Sequence, residues 1–107
     1  MRVYLIPHNG TPRAHDCDGN LYDLQSLVDG WIEPCAPQIL RGQGIELLAN
    51  EEGLLKMLPL NVNTFPVLFL CGNLVAVGVN EDDFTSLTPE QELFIEAWLN
   101  LIKRGLY

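Results

Sequence analysis

Apolar residues fall into short blocks separated by turn-forming ones. Arg2 to Ile6 is a run of β formers that ends at Pro7, and His8-Asn9-Gly10-Thr11-Pro12 has turn chemistry. Arg13 to Cys17 reads as a second strand, hairpinned to the first. Asp18-Gly19-Asn20 breaks it. Asn20 then caps a short helix with Asp23 in its first turn; Leu21, Leu24, Leu27 and Val28 share one face, and Gly30 is the expected terminator. Trp31-Ile32-Glu33 begins a strand interrupted by Pro34 and Pro37, and Ile39-Leu40 continues it up to the turn at Gly42 to Gly44.

The middle of the chain predicts a hairpin. Ile45 to Ala49 is a strand, Asn50-Glu51-Glu52-Gly53 a tight turn, and Leu54 to Leu58 the return segment, stopped by Pro59. Asn61 to Thr64 is a loop. Gly72-Asn73 either turns a hairpin between Val67–Leu70 and Leu74–Val79, or closes an irregular apolar segment that leads into one long strand. Leu74 to Val79 is apolar at successive positions, as expected of a strand covered on both sides. Asn80-Glu81-Asp82-Asp83 is an acidic connection, pinned to the core by Phe84 and Leu87. Thr88-Pro89-Glu90-Gln91 starts the last helix, with Thr88 as cap, Pro89 in the first turn and Gln91 completing a capping box. Lys103-Arg104 and Gly105 mark its end. The order of elements predicts an α+β domain spanning 1–107, with a mixed or antiparallel sheet of four to six strands, helices mainly on one face, and one short and one long C-terminal helix.

Charge narrows the function. Six basic residues against fourteen acidic ones give a net charge of −8. The only adjacent basic pair is Lys103-Arg104, so direct nucleic-acid binding and attraction to an anionic membrane are not expected. An acidic chain suits a basic protein partner. Three widely spaced cysteines, Cys17, Cys35 and Cys71, fit neither a disulfide framework nor a Cys-x-x-Cys metal site, which points to reduced thiols in the cytoplasm. The first residues lack a signal-peptide pattern. The apolar stretch from Phe65 to Val79 is broken by Pro66, Gly72 and Asn73 and is shorter than the roughly 20 residues of a membrane helix.

No catalytic constellation stands out. His15-Asp16-Cys17-Asp18 gathers metal-capable side chains, but in a strand His15 and Cys17 face one side and the aspartates the other, so no metal is expected. The pairs Glu51-Glu52 and Asp82-Asp83 read as solvated loop carboxylates, and no phosphate-cradling glycine loop of recognised spacing occurs. No cofactor is implied.

Several blocks together resemble an uncharacterised family, domain of unknown function 3846. They are Val3-Tyr4-Leu5-Ile6-Pro7, Leu24 to Glu33, Asn50-Glu51-Glu52-Gly53 with Leu58-Pro59-Leu60-Asn61, and Gly72, Val77-Gly78 and Asp83 to Thr88. The resemblance implies a small protein of a phage, plasmid or integrated element, brings no catalytic residues, and favours the irregular reading of Phe65 to Cys71. Leu54 and Met57 stand where the family is more often polar or small, and Val62 where a basic residue is common. These apolar departures suggest a partner-specific surface.

The expected function is that of a non-enzymatic protein-binding or regulatory accessory module. The alternative is a small-ligand-binding protein or small enzyme using the Asn50–Asn61 loop. Asn50, Glu51, Glu52, Lys56 and Asn61 are either a wet loop tip or a recognition patch, and the patch carries the functional expectation. The last helix is apolar around most of its girth, which predicts a homodimer through Ile95, Leu99 and Leu106.

Overall fold

A computed structural model describes residues 1–107. Six strands form one sheet in which every pairing is antiparallel: β1 (Arg2–Ile6), β2 (Arg13–Asp16), β3 (Ile32–Pro34), β4 (Ile45–Asn50), β5 (Leu74–Asn80) and β6 (Asp83–Thr85). Their order is β2-β1-β5-β4-β3, with β6 paired to the end of β5. The helices are α1 (Leu21–Val28), α2 (Gln38–Arg41) and α3 (Pro89–Lys103).

β5 is the centre, and its alternation divides the core. Leu74 and Ala76 face the layer made with α2 and α3, alongside Tyr4, Ile6, Leu47, Ile95 and Trp98. Val75 and Val77 face α1, alongside Val3, Leu48, Leu24 and Val28. Successive β5 residues are apolar on both sides, so both faces need a cover. α2 and the long α3 therefore share one face, and the short α1 alone covers the other.

The ends of the helices follow local chemistry. The Asn20 side chain accepts from Asp23 N at 2.8 Å, and Thr88 with Gln91 forms the full capping box. At the end of α1 it is Asp29, at φ 62°, that adopts the left-handed conformation, and Gly30 N donates to Gln25 O. Gly30 is not the left-handed residue here; its smallness serves Asn50.

Three predicted segments differ. Ile39-Leu40 does not extend a strand but lies in the helical turn α2. The Cys35 amide makes a last bond to Leu47 O, Pro37 has no N–H to continue the ladder, and its carbonyl instead accepts from Leu40 N and Arg41 N. Glu46 secures this corner: its buried carboxylate accepts from Ala36 N and Leu47 N and pairs with Arg41 at 3.1 Å. Leu54 to Leu58 is not a return strand, because β3 and β5 already occupy both sides of β4. The acidic connection is a tight hairpin: Asn80 pairs with Asp83, Glu81 takes φ 57°, and β6 follows.

Candidate functional site

β4 and β5 are antiparallel neighbours, which a two-residue turn could join. The chain uses residues 51–73 instead, longer than the roughly 15 residues that connections within a compact domain rarely exceed. The segment is ordered from within by polar side chains. Asn50 latches its start: Nδ2 donates to Val28 O and Asp29 O, each at 3.1 Å, and Oδ1 accepts from Glu52 N at 2.8 Å. Asn61, fully buried, latches its middle by donating to Ile6 O and Gly72 O, each at 3.0 Å, and accepting from Asn63 N. Asn63 donates to Pro7 O and Gly10 O. The two limbs meet in a bridge between Leu60 and Cys71, and Gly72, at φ +85°, packs against Leu58.

The outside of this segment is apolar. Leu54 is 81% exposed, Leu55 83%, Met57 88% and Phe69 76%. Water contact of four such side chains forgoes on the order of 1.5–3 kcal/mol each relative to burial. The Phe69 ring meets Phe65 edge-on at 5.0 Å.

The five residues of the expected patch separate into two kinds. Asn50 and Asn61 are internal clamps with different partners, whereas Glu51, Glu52 and Lys56 are exposed. The three residues of the expected dimer contact separate too. Ile95 and Leu99 are buried against the sheet, and Leu106 alone is exposed, at 58%. One helix face suffices to bury Ile95, Trp98, Leu99 and Ile102, leaving Leu93 and Leu101 on the solvent side.

Two groups are held well away from their ordinary ionisation, Cys35 and Tyr4. Burial, with help from Glu46 and Glu33, pushes the Cys35 thiol up to about 12, so it is protonated at neutral pH. Its sulfur donates to Leu47 O at 3.3 Å. Burial and then the charge of Glu96 raise the Tyr4 phenol to about 12. No three His, Cys, Asp or Glu side chains converge in a group that could hold a metal ion. No helix is long and apolar enough to cross a membrane. A cleft of about 610 Å³ opens between α3, the turn after β1 and residues 62–65. Sequence reading singles out Leu54 and Met57 but misses this cleft, since Tyr4 and Glu96 meet only in the fold.

Comparison with curated proteins and with solved structures gave no match. A family sequence model matches residues 1–102, nearly the whole chain. The blocks that carry the resemblance thus lie in one continuous match, and the chain belongs to the family described as Domain of unknown function (DUF3846).

Proposed function

We propose that this chain is a non-enzymatic protein-binding module, a regulatory accessory of a phage or mobile element acting in the cytoplasm. Its partner presents an apolar surface edged by basic residues. One observation carries the reading: the 51–73 connection is pinned from inside by Asn50, Asn61 and Asn63, yet turns Leu54, Leu55, Met57 and Phe69 almost wholly to solvent. Ordering a long segment costs entropy, and an apolar exterior on it suits a surface that is covered in use. The net charge of −8, with Glu51 and Glu52 beside Leu54, supports a basic partner. The mobile-element setting rests on the family resemblance alone.

The test is capture with wild type and with a Leu54→Ser, Met57→Ser, Phe69→Ser variant, followed by binding of the identified partner as purified protein. Each lost anchor should weaken binding by about tenfold or more. Binding should also fall with added salt. A nucleotide or metabolite that stabilises the chain against heat, with no partner captured, overturns the proposal in favour of a small-ligand protein. Pairing of two copies through Leu93 and Leu101, 66% and 42% exposed, is a second contact in this reading. Sedimentation of wild type and Leu101→Glu checks it, and a wild type that stays monomeric at high concentration removes it.

A further inference from the structure

Glu96, Asn100 and Lys103 stand at positions i, i+4 and i+7 of α3, so they share one side of the helix, and all three border the 610 Å³ cleft. The Tyr4 hydroxyl donates to Glu96 Oε1 at 3.3 Å, which orients the carboxylate and leaves its second oxygen open. Neither charge is neutralised within the chain: the ion pairs are Arg2–Asp16, Arg2–Glu92 and Arg41–Glu46. Seven helical steps place Glu96 and Lys103 about 10 Å apart along the axis. Val62, 55% exposed, and Phe65, 40% exposed, bring apolar surface to the cleft from the opposite side. Phe65 packs on Phe69, so the apolar wall of the cleft continues onto one of the exposed side chains of the 51–73 segment.

We infer that the cleft seats an extended peptide stretch of the partner. A cationic side chain meets Glu96, a carboxylate meets Lys103, and apolar side chains between them rest on Val62 and Phe65. An extended chain advances roughly 3.3–3.6 Å per residue and turns alternate side chains to one wall, so the two charged residues stand about four apart in the peptide, with the apolar residues at the alternate positions between them turned to Val62 and Phe65. A dipolar ligand fits because the cleft offers one charge of each sign. A polyanion such as a nucleotide triphosphate would meet a single lysine and a chain of net charge −8. The inference rests on the reading of the 51–73 segment as the partner-binding surface, and it adds the partner's sequence chemistry to that reading.

The capped pentapeptide Arg-Leu-Ser-Val-Glu, whose charged side chains fall on one side of an extended chain and whose Leu and Val fall on the other, titrated into the isotope-labelled full chain and followed by NMR, tests this. Saturable shifts are expected at Tyr4, Phe65 and Glu96. Binding should weaken about tenfold for Glu96→Gln, for Lys103→Met, and for the same peptide with glutamine in place of both charged residues. Glu96 and Lys103 are exposed, so both variants should keep the wild-type spectrum away from the cleft. Absence of saturable shifts at millimolar peptide, or equal binding of the uncharged peptide, overturns the inference. So does adenosine monophosphate if it shifts the same signals more strongly, which would make the cleft a nucleotide site. Failure of the surface reading shows elsewhere: partner binding would be unchanged by the Leu54, Met57 and Phe69 substitutions.

Discussion

Gly30 lies directly against the side-chain amide of Asn50: a Cβ on Gly30 would stand 2.7 Å from Asn50 Nδ2. The amide cannot retreat freely, because the same nitrogen donates to Val28 O and Asp29 O. The end of α1 and the start of the 51–73 segment are thus fitted to one another through these two residues. Gly30→Ala should destabilise the fold by about 1–3 kcal/mol, as overpacking does. Asn50→Ala should cost a similar amount by leaving the two carbonyls without their donor. The double variant should cost less than the sum, since removal of the amide makes room for the new methyl. Urea denaturation of the four proteins measures the coupling; strict additivity would contradict the fit.

Thr64 and Asn61 should behave oppositely. Both are fully buried, but Asn61 satisfies Ile6 O and Gly72 O, while Thr64 Oγ1 has no hydrogen-bond partner. Thr64→Val keeps the branched shape and removes the unpaired hydroxyl, so it should be neutral or stabilising by up to about 1 kcal/mol. Asn61→Ala should destabilise by about 2–4 kcal/mol and speed hydrogen exchange at Leu70 and Gly72. Denaturation midpoints and exchange rates provide the check.

Alkylation should distinguish the cysteines. With its thiol raised to about 12, Cys35 has almost no thiolate at neutral pH. It should react more slowly with iodoacetamide than Cys17 or Cys71, and mass spectrometry of the partly labelled chain reads the order. Fast labelling of Cys35 in the folded protein would contradict its burial.

The alkaline limb of stability should depend on Tyr4. Its phenol is raised from an ordinary 10.0 to about 12 in the folded chain, first by burial and then by Glu96. The folded state therefore holds this proton more tightly than the unfolded state. The associated stability is present below about pH 10 and lost as pH rises through about 12. Tyr4→Phe should fall less steeply across that window, measured by urea denaturation at stepped pH.

Much of the fold was legible in the chain because the relevant physics is local. Asn20 and Thr88 each cap a helix through an amide three residues on, and Arg2 to Ile6 carries enough β formers to mark a strand. Gly30 shows the limit. Its position suggests a left-handed cap, but Asp29 takes that conformation, and the lack of a side chain at Gly30 is explained by Asn50, twenty residues away in sequence. The candidate surface was partly legible: Leu54 and Met57 stand out as apolar in a polar loop, whereas Phe69 does not stand out among the apolar residues around it.

The sequence by itself determined an α+β domain, the caps and ends of α1 and α3, the central apolar strand β5, the acidic charge and the family. Each depends on neighbours in the chain or on totals over it. Only the tertiary structure decided that Leu54 to Leu58 leaves the sheet, because whether a strand edge is free depends on β3 and β5 having already paired with β4. The same holds for Asn50 and Asn61, which look like surface polar residues until the carbonyls of Val28, Asp29, Ile6 and Gly72 arrive at their amides. It holds also for Ile95 and Leu99, which look free for a second copy along the helix but are buried in the core under the sheet. A hydrogen bond or a packed face is a relation between positions, and for these residues the partners lie too far along the chain for local pattern to name them.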